Sequence, residues 1–283
     1  MGLENFIPTI WSARLLANME KKLVYAQTGI VNRDYEGEIT GLGCAVKINA
    51  IGPVTIGEYT KNTDIAAPEV LNSAQAMLEI NQAKYFNFAI DSIDKAQQQP
   101  KLMNAAMAKA SHGLRDKADQ YVASLYTQVA AANQIGSDAV PIVPTKTTAY
   151  EYLVDMAVIL TENNVPTEGR WVIVPAWFYG LLLKDDRFVK AGTSASDEAL
   201  RNGQVGEAAG FTVLQSNNMP NTAGTKYKIL AGTSAAISYA EQIVDIQAYM
   251  PERRFGDAVK GLHVYGAKVV LPDGLALLTA NKS

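Results

Sequence analysis

One run, KLMNAAMAKASHGLRDKADQYVASLYTQVAAA, within residues 100 to 132, constrains this chain more than any other stretch. Met103, Met107, Ala110, Leu114, Ala118, Tyr121, Leu125 and Val129 recur at steps of three and four. That spacing puts them on one stripe, so the run predicts a single long amphipathic helix. Lys109, Arg115, Asp116, Lys117 and Asp119 fall on its other side, where they read as a solvated face. Gly113 costs a helix interior roughly 1 kcal/mol against alanine, so a bend or a close contact is expected there.

Before this helix, residues 41 to 93 read as a long two-stranded excursion. In AVKINAI, Val46, Ile48 and Ala50 share one face, with Lys47 and Asn49 on the other. VTIGEYT resumes after Gly52-Pro53. Later, in AKYFNFAIDSI, Phe86, Phe88 and Ile90 alternate with Tyr85, Asn87 and Asp91. Period-two alternation marks strands with one wet face. TKNTDIAAPEVLNSAQ between them is polar and turn-rich. A hairpin of this length is marginal alone and needs a surface to lie on. The first 40 residues carry Phe6, Ile7, Ile10 and Trp11, then a helical patch of Leu15, Leu16, Met19 and Leu23. Apolar groups so near a terminus need an anchor, either the chain's own core or a neighbouring subunit.

After the long helix, Thr148 and Glu151 form a T-x-x-E capping box that opens a second helix through Leu153, Met156, Ala157 and Leu160. RWVIVP reads as a buried strand ended by Pro175, AWFYGLLL as a short buried helix, and LKDDRFVKAGTSASDEALRNG as a charged surface loop. FTVLQS, KYKILAG and QIVDIQAYM are strand-like. HVYGAKVVL and LALLTA flank the turn Pro272-Asp273-Gly274. Helices and strands alternate irregularly, so the fold class is α+β.

With 283 residues, 48% apolar and 19% charged, the chain suits a packed fold of one or two domains. A net charge of −3 gives no basic surplus for gripping nucleic acid. Cys44 is the only cysteine, expected to be packed, and His112 and His263 are the only histidines. No disulfide, thiolate zinc cluster or histidine-rich metal site is expected. No apolar run is long enough to span a bilayer, and MGLENFIPTIWS lacks a signal-peptide pattern. The opening Met-Gly has Phe6 where a myristoylation signal wants Ser or Thr. These features predict a chain that is soluble and intracellular at synthesis.

The loop RNGQVGEAAG carries Gly203, Gly206 and Gly210 before an apolar run. As a phosphate loop it lacks the lysine and the following helix, and it does not match G-x-G-x-x-G. The glycines instead predict tight backbone turns. No G-x-S-x-G elbow exists, and neither His112 nor His263 has the context of a catalytic base. Asp185-Asp186, flanked by Lys184 and Arg187, reads as a solvated loop. No catalytic, metal or cofactor-binding residue is expected, and an ordinary enzyme is disfavoured.

RWVIVPAWFYGLLLKDDRFV, then ALRNGQVGEAAGFTVLQSNNMP, then ERRFGDAVKGLHVYGAKVVLPDGLALL resemble, in this order, stretches of the major capsid proteins of tailed bacteriophages with the Hong Kong 97-type fold. The resemblance covers nearly the whole chain. It implies an N-arm at 1–40, an E-loop at 41–93, a peripheral domain at 94–139 and 251–283 that includes the spine helix, and an axial domain at 140–250. It implies self-assembly into pentamers and hexamers of an icosahedral head enclosing double-stranded DNA without sequence-specific binding. Assembly would take place in the bacterial host cytoplasm. A separate scaffolding protein, a portal and a decoration protein are the implied partners, with no membrane. Candidate contacts between subunits are Phe6, Trp11, Tyr59, Lys61, Asp64, Arg115, Asp185, Arg187, Glu252, Arg253 and Arg254. Some relatives crosslink through Lys and Asn side chains, but nothing around Lys61 and Asn62 argues for that chemistry. The alternatives are a cellular nanocompartment shell of the same fold, like an encapsulin, and a nucleotide-binding enzyme using 203–210.

Overall fold

The computed structural model describes residues 24–36, 43, 45–51, 56, 58–59, 61, 64, 73–91, 101–185, 204–251 and 256–282. The long helix is α1, Lys101–Ser124. It ends earlier than its sequence stripe does. Leu125 and Val129 are both buried in the main core, and seating them takes the chain off the helix axis. Leu125–Gln128 and Ala131–Asn133 follow as short 3-10 turns. The buried face of α1 is also wider than the apolar stripe, because Ser111, Arg115 and Asp119 are buried with it. His112 is exposed. At Gly113 an added Cβ would meet nothing, so no close contact explains that glycine.

Two strands, β1 (Ala45–Ile51) and β2 (Ser73–Glu79), pair antiparallel as a hairpin, with Ala45 opposite Glu79. The partner of β1 is therefore not AKYFNFAIDSI, as alternation alone suggested. That segment is β3 (Gln82–Asp91), and it joins a different sheet, in the order β10-β11-β3, with β10 spanning Ile237–Tyr249 and β11 Gly256–Val269. The expected faces do hold: Val46 and Ile48 are buried, and Phe86 and Phe88 are more covered than Tyr85 and Asn87. Alternation fixes which face is apolar but not which strand lies alongside. Ile56, Glu58 and Tyr59, in VTIGEYT, lie outside any strand.

The largest sheet has seven strands, ordered β4-β12-β9-β5-β7-β6, with β8 on β9. Its members are β4 (Gln134–Ile135), β5 (Arg170–Val174), β6 (Gln204–Ala208), β7 (Phe211–Gln215), β8 (Asn221–Thr222), β9 (Lys226–Thr233) and β12 (Leu275–Asn281). The Pro272–Gly274 turn is present, but it passes the chain from one sheet to another, since β12 pairs with β9 and not with β11. The whole of β5 is buried, as its unbroken apolar run predicts. Helices α2 (Ala149–Glu162) and α3 (Ala176–Leu182) cover this sheet, burying Leu153, Met156, Leu160, Phe178 and Leu182 in one core. Helix α2 begins where expected, yet Thr148 makes no side-chain cap bond. Its hydroxyl instead accepts the Thr145 amide at 2.9 Å, so the capping box gives way to a threonine turn. Beyond the other end, Arg170 donates to the carbonyls of Pro166, Ala157 and Val165 at 2.8, 3.1 and 2.6 Å, tying the turn before β5 to α2.

The glycine loop is a hairpin. Ala208 faces Phe211 across the two-residue turn Ala209-Gly210, where φ is +52° and +77°. Positive φ at both central positions is the mirror-image turn that suits twisted strands. Gly206, also at positive φ, lies where the β6–β7 register shifts. Gly206 and Gly210 therefore serve backbone geometry, as expected, while Gly203 lies outside the described residues and β6 itself had no strand signal.

Candidate functional site: the arm root, the sheet faces and the exposed patches

The three-stranded sheet is covered on both faces. On one side the hairpin places Val46, Ile48, Leu78 and Ile80 against Ala240 and Val264. On the other, Met107 and Leu114 of α1 pack with Ile246, Val259, Phe86 and Phe88. Glycines set the separations. A Cβ on Gly266 would lie 2.3 Å from the backbone oxygen of Glu79, and one on Gly261 would lie 2.5 Å from the Phe86 ring. Backbone and a packed ring cannot yield cheaply, so both positions require glycine.

Residues 24–36 form the root of the N-terminal segment and cross from α1 to β10. At one end, Asp119 Oδ1 accepts the amides of Val24 and Tyr25 at 3.1 and 2.9 Å, while Asn218 Nδ2 reaches Oδ2 at 3.4 Å. Burial pushes the Asp119 carboxyl up, against the opposing pull of these donors. Tyr25, Ile30 and Val31 are buried in the main core. At the other end, the Asn32 amide donates to Ile237 O at 2.8 Å and the Tyr239 amide to Asn32 O at 2.9 Å. Arg33 donates to Glu241 at 3.0 Å and to Ala26 O at 2.8 Å, and its guanidinium lies 5.2 Å over the Tyr239 ring.

Glu241 gathers three groups. Arg33 takes Oε1, while Tyr239 Oη donates to Oε2 at 2.6 Å and His263 Nε2 stands 3.2 Å from the same oxygen. His263 is fully buried, and its Nδ1 has no partner among the described residues. Burial pushes the Glu241 carboxyl up, yet the His263 hydrogen bond and the Arg33 charge outweigh it and hold the group below the usual glutamate range. Burial and the adjacent carboxylate drive the Tyr239 phenol far above its ordinary value. The sequence marked His263 only as a poor base. Its place in this cluster depends on cross-strand register, which one strand alone does not reveal.

This cluster does not have the makings of a catalytic centre. It is closed over, and Arg33, Tyr239 and His263 Nε2 are all committed to Glu241, holding strands and segment together. Among the described residues no group of three metal-ligating side chains converges, and no helix is long and apolar enough to cross a membrane. A groove of about 650 Å³ runs between α1 and β3, lined by Lys84, Phe86, Leu114, Gly113 and Lys117.

The sequence-derived contact candidates do not converge on one place. Tyr59, Lys61 and Asp64 are exposed beyond the hairpin strands. Arg115 and Asp185 are 5% and 7% exposed, buried inside the subunit rather than on its surface. Arg115 Nε donates to Ser111 O at 3.2 Å. Phe6, Trp11, Cys44, Arg187, Glu252, Arg253, Arg254 and most of the charged loop 184–203 lie outside the described residues. Sequence reasoning missed the exposed apolar side chains Val154 and Val158 on α2, Val140, Val143 and Met250. Their surplus over a wet helix or loop face was the available signal.

Comparison with known proteins supplies the identity. The family model described as phage capsid protein matches residues 75–278. A search of curated proteins finds no match. Among solved structures, a protein of Mycobacterium phage Che8 is 26% identical with a TM-score of 0.70, over 98% of each chain. The capsid of cyanophage P-SCSP1u is 17% identical at a TM-score of 0.68, covering 93% of this chain and 90% of that one. A virus-like particle from Pyrococcus furiosus shares the fold at 12% identity and a TM-score of 0.58, covering 95% and 98%. With the family model matching residues 75–278 and solved phage capsids matching along nearly the whole length, the chain belongs to the phage capsid protein family, as a major capsid protein of tailed-phage type with the Hong Kong 97-type fold.

Proposed function

We propose that the subunit assembles as pentamers and hexamers into an icosahedral phage head that encloses double-stranded DNA. The family match over residues 75–278 carries this reading. Two features of the subunit support it. Between the hairpin strands β1 and β2, Ile56 is 94% and Tyr59 76% exposed. Exposed apolar side chains on α2 and in 140–143 leave surface that burial against other subunits would stabilise. Shells are strong through many moderate contacts, which suits patches of this size.

In this reading 1–40 is the N-arm, 41–93 the E-loop, 94–139 with 251–283 the peripheral domain, and 140–250 the axial domain. Sheet membership favours moving β12 to the axial side and β10 to the peripheral side. A separate scaffolding protein, a portal and a decoration protein complete the head, and assembly takes place in the host cytoplasm. The acidic balance of the chain suits DNA that is confined rather than gripped. Electron microscopy of the expressed protein, alone and with its scaffold, tests the reading. Closed particles with pentamers at the fivefold vertices and hexamers between them are expected. A monomer under every condition overturns it.

A further inference from the structure

The root of the N-terminal segment is fastened at two ends by two buried carboxylates in unlike surroundings. At the Asp119 end, the amides of Val24 and Tyr25 sit on the carboxylate and the apolar side chains of Tyr25, Ile30 and Val31 are buried beside it. Tyr25 faces Asp119 from the segment, Asn218 from the turn after β7, and Arg115 stands one turn earlier on α1. At the Glu241 end an ion pair is added to the two Asn32 backbone bonds and to Tyr35, which packs against the hairpin cluster. Arg33 faces Glu241 from the segment with Glu36 behind it at 3.2 Å. Tyr239 faces it from β10 and His263 from β11, with the Tyr265 ring 5.1 Å from the His263 ring. Lys84 of β3 lies opposite His263 in register.

We propose that Arg33 and Glu241 form an acid-released clasp: loss of the Glu241 charge frees residues 32–36 from β10, while residues 24–31 stay seated in the main core. The segment then hinges about its buried half, and its end at Glu36 is released from β10 without the main core opening. A carboxylate that accepts from an arginine, a tyrosine and a histidine loses its acceptor strength on protonation, and Arg33 is left facing a neutral acid. The Asp119 end resists, because burial there already favours the neutral acid and apolar packing does not titrate. Glu241 has its folded value depressed, so its contribution is complete above the ordinary glutamate range and is lost as pH falls through that depressed value.

Hydrogen exchange with peptide resolution on the full-length chain tests this without requiring shells, so its failure is separable from failure of the assembly reading. The pH is lowered stepwise from neutral to below the ordinary glutamate range, with rates corrected for the intrinsic pH dependence of exchange. Peptides containing Asn32 and Tyr239 should lose protection by about tenfold or more while the peptide containing Tyr25 keeps it. Glu241→Gln should show the opened pattern at neutral pH with no further change on acidification. Should that variant not fold, Arg33→Gln, at a position on the cluster's edge, carries the same expectation. Simultaneous loss in both peptides, no loss in either, or a variant that opens with the wild-type pH profile overturns the clasp.

Discussion

The seven-stranded sheet and the three-stranded sheet belong to one subunit but are held in different ways. The first is held by area. β5 is buried along its whole length, β12 over nearly all of it, and Trp171, Phe178 and Phe211 are fully buried in one core. The second is held by fit. Only a handful of apolar side chains cover each of its faces, and the close approaches rest on Gly261, Gly266 and the Glu241 cluster. Area is forgiving, because burial is non-directional and summed over many atoms. Fit is not, because a single Cβ or a single lost charge removes the contact. A shell subunit with both has a rigid block and a region whose attachment is set by a few exact distances.

The largest expected effect attacks the rigid block. Trp171→Ala leaves a cavity at the centre of the main core and should cost about 3–5 kcal/mol, lowering stability to unfolding across the whole subunit. Calorimetry should show one shifted transition. Two transitions would mean the sheets unfold independently and would sharpen the contrast. Gly266→Ala attacks the fit. Its Cβ meets the Glu79 backbone, so the hairpin must shift at a cost of about 3 kcal/mol. The loss should be confined to β1, β2 and β11 in hydrogen exchange, and equal loss in β5 would break the comparison.

Two smaller changes run the other way. Gly113→Ala places its Cβ in open space on α1 and should stabilise by roughly 1 kcal/mol in a denaturant titration. A loss instead would show that α1 needs to bend there. Ala209→Asn relieves an alanine held at φ +52° and should stabilise the β6–β7 turn by up to about 1 kcal/mol, read as a small rise in Tm.

Burial was legible where the sequence carried it along a continuous run. RWVIV is a buried strand because every residue is apolar or, like Arg170, has a chain of carbonyls to donate to. The stripe of α1 and the faces of β1 and β3 follow the same logic. Partners were not legible. β1 pairs with β2, whose sequence SAQAMLE has weak alternation, and β6 was hidden because its glycine sits at a register shift. Charge misled on α1. Asp119 and Arg115 look solvated by type, yet Asp119 is buried because two amides of a segment 95 residues away need an acceptor. The shell identity was legible from three ordered stretches, but contact residues were not, since a surface has no periodicity to betray it.

The sequence by itself determined the apolar faces, the long helix, the turn glycines and the family resemblance, because each is a local consequence of side-chain type and spacing. Only the tertiary structure decided which strands meet, that β11 carries a helix on one face and a hairpin on the other, and that Arg33, Tyr239, Glu241 and His263 converge. Residues 208 positions apart become neighbours only when two sheets and a returning segment are in register, and register is a property of the whole packed chain.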